Sequence, residues 1–287
     1  MKNRSEHKVM QQNGGKRSAW SAFWRFPLVW MITGAIGIIL VDSIFRPLAE
    51  QAGGITSLLV TLAEGAVIIM VYSLTMKYLA RRSTPEIARQ RAGVEAGMGM
   101  LTGVIFILVS TLIIAATGVY SFQWASAADT SSVLMTSIVA ALGAAIVEEF
   151  IFRGLMFQAV SKWAGTWPAL AVTSLFFGVV HLGNAGATLW SGFAIVIEAG
   201  VLLGAAFLWR RNLWFAIGLH FAWNALEGML GIPVSGHAAT GLFTVQVKGP
   251  ALLTGGDFGL EGSIFPIIIS LLIAIPMLIA AARSSKD

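Results

Sequence analysis

The chain has 287 residues, 56% of them hydrophobic and 11% charged, with a mean hydropathy of +0.78. A soluble domain carries about a quarter charged residues, so a water-soluble globular protein is excluded. The absence of cysteine excludes disulfides, thiolate nucleophiles and thiolate metal ligands, leaving His, Asp, Glu and Asn as candidate ligands.

In chain order, residues 1–26 are polar and basic, with Lys2, Arg4, Lys8, Lys16, Arg17 and Arg25. They read as a cytoplasmic tail that is mobile as far as about Ser18, without the short apolar core and small-residue cleavage site of a removable leader. Windows of about 19 residues then predict eight membrane spans and an all-α polytopic fold. The spans fall near 27–45, 55–79, 98–118, 132–161, 167–183, 187–209, 213–231 and 263–282. The fourth, at 1.5 Å per residue, is about 45 Å long and has to tilt or project. By region, 27–129 holds the N-terminal membrane helices and 130–231 a polar-bearing core. Residues 232–262 are a Gly-rich extracytoplasmic loop, and 263–287 the last helix with a short cytoplasmic tail. "GVLLG" (200–204) has the small-xxx-small spacing that lets helices approach closely.

Orientation follows from Lys and Arg. With eight spans, all but two of the 19 basic residues fall on one side, and only Arg46 and Lys248 lie opposite. The net charge of +5 is therefore a topological signal and gives no reason to invoke nucleic acid. Both termini are expected in the cytoplasm, of a bacterial inner membrane by the chain's general character.

Ionisable groups inside a bilayer are costly and mark function or pairing. Asp42 lies near the outer end of its span, where it reaches the interface. Glu64, Glu198 and Glu227 stand alone in their helices and read as protonated or hydrogen-bonded packing groups. The rest cluster. In "EEFIFRG" (148–154), Glu149 and Arg153 are spaced i, i+4 in the order that favours a helical ion pair. Glu148 sits about 100° around the helix without a sequence-local partner. In "FFGVVH", Phe177 and His181 are one turn apart, and in "HFAWN" so are His220 and Asn224. A single intramembrane histidine is commonly an interhelix hydrogen-bonding contact. Two of them with an unpaired glutamate and an asparagine point to a buried polar site.

Glu148-Glu149-x-x-x-Arg153, Phe177-x-x-x-His181 and His220-x-x-x-Asn224, in that order on successive helices, resemble the CAAX protease and bacteriocin-processing family. This is the CPBP, or Abi, group of intramembrane proteases, which includes the Ras-converting-enzyme type of prenyl protease. The resemblance covers about residues 130–230, including "GAAFLWRRNLWFAIGLHFAWN". It implies a helical bundle whose polar cavity hydrolyses a peptide bond near the membrane. It also implies that Glu148 activates water with help from His181, that His220 and Asn224 stabilise the oxyanion, and that Glu149 and Arg153 set the geometry, with Phe177 supporting.

Peptide hydrolysis needs an activated water, donors for the oxyanion and exclusion of bulk solvent. These residue types supply them in two ways: a metal-free Glu148 base, or a zinc ion held by Glu148, His181 and His220. The expected partners are the bilayer and a membrane-associated peptide or protein, reached from the cytoplasmic side. Bacteriocin maturation and self-immunity are candidate roles. A proton-coupled transporter would show interrupted helices in matching halves, and none is legible. A silent membrane scaffold would not need all three motifs. "GGDFG" (255–259) lies in a loop without a partner motif and carries no signal.

Overall fold

Inside a bilayer each backbone polar group has to find its partner within the chain, so apolar stretches of this length become helices. The computed structural model describes residues 23–126 and 129–284; most of the basic tail and Lys286 lie outside them. Eight helices occupy the eight predicted apolar stretches: α1 (Pro27–Ala52), α2 (Gly54–Ala80), α3 (Ala92–Ala116), α4 (Thr130–Ala164), α5 (Thr166–His181), α6 (Leu189–Arg210), α7 (Leu213–Leu230) and α8 (Ile264–Ser284). Local chemistry sets their ends. Asp129 accepts from the Ser131 N–H to start α4, and Asn212 accepts from the Phe215 N–H at 3.0 Å to start α7. Gly231, at φ +78°, ends α7 in a conformation other side chains rarely adopt.

The count of eight spans is not confirmed. Six helices (α1, α2, α3, α4, α6 and α8) are long and apolar enough to cross a membrane by length and composition. α5 has only 16 residues, about 24 Å of helix. α7 is not among the six and is largely buried by its neighbours. That burial rests on glycine. A Cβ at Gly99 of α3 would stand 2.1 Å from the Phe215 carbonyl oxygen, and one at Gly218 of α7 would stand 2.2 Å from that of Ala96. With those side chains absent, α3 and α7 pack backbone to backbone. The "GVLLG" spacing serves packing too: a Cβ at Gly200 would meet Ser174 at 2.7 Å, and one at Gly204 would meet Leu170 at 2.4 Å.

Three helices carry π-helical turns: Thr75–Ala80 in α2, Phe150–Met156 in α4 and Val196–Val201 in α6. Such turns are uncommon and frequent at functional sites.

The two ends of the bundle differ. One carries Arg81, Arg82, Arg89, Arg91, Lys162, Arg210 and Arg211 in or beside the connections α2–α3, α4–α5 and α6–α7. It is tied together by Arg210–Glu95 at 2.5 Å, Arg82–Glu86 at 2.5 Å and a bond from Trp214 Nε1 to the Ala88 carbonyl. The other end carries a two-stranded antiparallel ribbon that the sequence reading did not anticipate. β1 (Tyr120–Trp124) pairs with β2 (Phe243–Val247) in the register Tyr120↔Val247 to Trp124↔Phe243. The segment 232–262, expected to be a plain loop, is therefore folded. It holds β2, short helical turns at Ala251–Thr254, Gly256–Phe258 and Leu260–Gly262, and a tight turn at Val234–His237.

Candidate active site

The π-helical turn of α4 begins at the residue after Glu149 and contains Arg153. Arg153 Nη1 donates to Glu149 Oε1 at 2.8 Å, and the two side chains are 3% and 0% exposed. Its Nη2 donates to the carbonyl oxygens of Ala199 (2.5 Å) and Gly200 (3.2 Å), both in the π-helical turn of α6. The guanidinium also lies 4.9 Å from the centre of the Phe177 ring on α5. One buried cation thus ties together α4, α5 and α6. Arg153, which also counted toward the basic side of the chain, lies buried in the bundle and pairs with Glu149 as the i, i+4 spacing predicts.

Glu149 has a second partner. His220 Nδ1 lies 3.0 Å from the same Oε1, donating its proton to a carboxylate already held by Arg153. That bond fixes the imidazole's orientation and turns Nε2 toward Glu148, whose Oε2 is 3.9 Å away. The distance is beyond a direct hydrogen bond and suits one bridged by water. Glu148 Oε2 has no protein partner. The two adjacent glutamates therefore differ as the helical wheel predicts: Glu149 is buried in the ion pair, while Glu148 faces a cavity and is half-buried.

His181 is the last residue of α5, and the shortness of that helix keeps it within the bundle. Its Nδ1 is 2.7 Å from the Phe177 carbonyl oxygen. A carbonyl only accepts, so Nδ1 carries a proton, and in the neutral ring Nε2 keeps its lone pair. The ring stacks on Phe177 with centroids 4.7 Å apart and planes inclined by 21°. Phe177 thereby fixes both His181 and, through its π face, Arg153. Asn224 lies one turn beyond His220 on α7.

Glu148, Phe177, His181, His220 and Asn224 all line one cavity of about 620 Å³. The structure brings every predicted catalytic residue together, with Glu149 and Arg153 directly behind. Among the described residues no three His, Asp or Glu side chains are gathered closely enough to hold a metal ion. Glu148, His181 and His220, the residues that would hold zinc, line the same cavity but do not form such a group.

Two features depart from expectation. The cavity does not open toward the basic end. It runs along α4 from Ser132 and Thr136, in the first turns of that helix, down to Glu148, at the end that carries the β ribbon. The segment 232–262 also contributes wall: Ser235, His237 and Glu261 line the cavity, joined by Asn184 from the α5–α6 connection. Ser235 N and Oγ donate to Glu261 Oε2 at 2.6 and 2.7 Å, and Asn184 Nδ2 donates to the Ser235 carbonyl at 2.9 Å. These bonds hold Ser235 at φ +47°, a left-handed conformation that costs a non-glycine residue energy. Burial, with Glu148 nearby, pushes the Glu261 carboxyl up to about 7 against the opposing hydrogen bonds from Ser235. A "VSGH" turn was a legible signal for a tight reversal; nothing in the sequence said that it packs into the site.

Arg46, placed by sequence on the far side of the membrane, also lines the cavity. The lone glutamates Glu64, Glu198 and Glu227 are all buried; Glu227 accepts from Trp223 Nε1 at 3.1 Å, Glu64 lines a second cavity, and neither oxygen of Glu198 has a protein partner among the described residues.

Fold and site together define an α-helical, polytopic integral membrane protein with a carboxylate–imidazole cavity sunk into its bundle. Residues 130–226 match the family described as Type II CAAX prenyl endopeptidase Rce1-like. The match covers 97 of the chain's 287 residues, a stretch that includes Glu148, Phe177, His181, His220 and Asn224. The chain shows no significant match to a curated protein or to a solved structure.

Proposed function

We propose that the protein is an intramembrane endopeptidase that hydrolyses a peptide bond of a membrane-associated protein or peptide by a metal-free, glutamate-activated water. The observation that carries this reading is His220 held between two carboxylates, bonded to Glu149 through Nδ1 and facing Glu148 across a 3.9 Å gap.

Glu148, as the carboxylate, takes a proton from a water set between it and His220, while the Nε2 lone pair of His181 accepts that water's other hydrogen and aims its oxygen. The hydroxide adds to the scissile carbonyl carbon. The oxyanion accepts hydrogen bonds from Asn224 Nδ2 and from His220 Nε2–H, the imidazole carrying both protons with Glu149 balancing its charge. The proton on Glu148 passes to the amide nitrogen as the C–N bond breaks, which restores the carboxylate. Arg153 and Phe177 act through the others: they position Glu149 and the two imidazoles.

The Rce1-like match favours a CAAX-type intramembrane endopeptidase. Bacteriocin processing or self-immunity in a bacterial inner membrane, with both protein termini cytoplasmic, are physiological settings consistent with the chemistry. The test is a comparison of peptide ends in membranes carrying the wild-type protein or Glu148→Gln at equal expression. New ends found only with wild type are the expected result, and they name substrates. Identical ends would favour a transporter or a scaffold.

A further inference from the structure

We infer that the cavity receives its substrate from the extracytoplasmic face, as an extended peptide segment passing beneath the folded segment 232–262. This rests on the endopeptidase reading for what enters, but the route itself is argued from charge and geometry.

Two independent observations meet here. First, the basic residues mark one end of the bundle: Arg81, Arg82, Arg89 and Arg91 between α2 and α3, Lys162 before α5, and Arg210 and Arg211 before α7. Short loops rich in Lys and Arg stay in the cytoplasm. At the opposite end the described basic residues are Arg46 and Lys248, beside Glu50, Asp129, Asp257 and Glu261. Second, the cavity mouth belongs to that opposite end. Its wall starts at Ser132 in the first turn of α4 and reaches Glu148 16 residues later, roughly 24 Å along the helix axis. A path from the basic end would have to cross the buried Arg153, whose side chain is 3% exposed and bonded to Glu149 and the α6 carbonyls.

Much of the wall is small or hydroxylic, with Thr136, Ala140 and Ala144 on α4 and Ala238 and Thr240 of the capping segment, beside the larger Val133 and His237. Small side chains leave room for a main chain. An extended strand, at about 3.3 Å per residue, would set roughly seven residues along this length. The roof is held in place: Ser235 is tied to Glu261 and Asn184, and Trp190 Nε1 donates to the Gly262 carbonyl at 2.8 Å. The chemistry therefore fits a segment that emerges unstructured on the extracytoplasmic surface, near its own membrane anchor.

The chain has no cysteine, so single-cysteine variants report sidedness without background. Thr136→Cys and Ala238→Cys place a thiol in the mouth, and Ser83→Cys places one at the basic end. Each is treated with a membrane-impermeant maleimide in spheroplasts and in inverted membrane vesicles. The expected result is that Thr136→Cys and Ala238→Cys label in spheroplasts, and Ser83→Cys only in inverted vesicles. The reverse pattern would overturn the assigned side. Labelling of Ala238→Cys without Thr136→Cys from either side would overturn the path beneath the roof. Labelling needs no turnover, so the expected pattern from a protein that generates no peptide ends would sink the protease reading and leave the route standing.

Discussion

The chain contains two acid-x-x-x-Arg pairs on membrane helices, and they are built very differently. Asp42 and Arg46 on α1 form a well-made ion pair, with Arg46 Nη2 donating to both carboxylate oxygens at 2.8 and 3.0 Å. Yet Arg46 is 55% exposed and Asp42 20%. Glu149 and Arg153 share only one such bond, but both are buried, and each has further partners on other helices. Pairing at i, i+4 is thus a local property that says nothing about importance. What distinguishes the second pair is that its carboxylate orients a histidine and its guanidinium holds two neighbouring helices in register. Solvent can replace the partner of an exposed ion, whereas nothing replaces the partner of a buried one.

This contrast orders the expected effects of substitution. Glu148→Gln removes the base and leaves every buried pair intact, so peptide cleavage should fall by about 10²–10⁴-fold while the protein inserts normally; cleavage assays on purified protein measure it. Arg153→Ala strands Glu149 as a buried unpaired charge and should cost about 3–5 kcal/mol of stability, read by thermal unfolding in detergent. If Arg153→Ala proved as mild as a surface change, the claim that this pair organises three helices would be lost. Asn224→Ala, which removes one oxyanion donor, should slow cleavage by about 10²–10³-fold at unchanged stability. Arg46→Ala, by comparison, should change stability by no more than about 1 kcal/mol.

Acid–base behaviour sharpens the comparison at the roof. The Glu261 carboxyl is raised in the folded protein to about 7 by burial. Folding therefore favours its protonated form. The stability is fully present below the carboxyl's ordinary range near pH 4.5 and is lost as pH climbs toward 7. Thermal unfolding between pH 4.5 and 8 should show this decline, and Glu261→Gln should flatten it. The smallest effect is expected from chelators. Incubation with a strong zinc chelator should leave cleavage unchanged, and loss of activity restored by zinc would replace the metal-free mechanism.

Much of this site was legible before any coordinates. The i, i+4 spacing put Glu149 with Arg153 and turned Glu148 away from them, because helical periodicity alone fixes which side chains share a face. Phe177 with His181, and His220 with Asn224, followed from the same rule. The eight apolar stretches predicted the eight helices, since a bilayer leaves the backbone few alternatives. Where the reading fell short, the reason is physical. Hydropathy registers neither helix ends nor enclosure, so it gave no sign that α5 has only 16 residues or that α7 is largely enclosed by its neighbours. Spacing paired Arg153 with Glu149, but sequence carries no record of its contacts with Phe177 and the Ala199 carbonyl.

The sequence by itself determined the helical membrane architecture, the two distinct ends and the identities of the groups that can do chemistry, because composition and periodicity are local. Only the tertiary structure decided that His220 stands between Glu148 and Glu149, that segment 232–262 folds over the cavity through Ser235 and Glu261, and that the mouth lies away from the basic end. Those facts depend on contacts between residues 26 to 71 positions apart in the chain. No local preference specifies such contacts; the packing of α3, α4, α5 and α7 does.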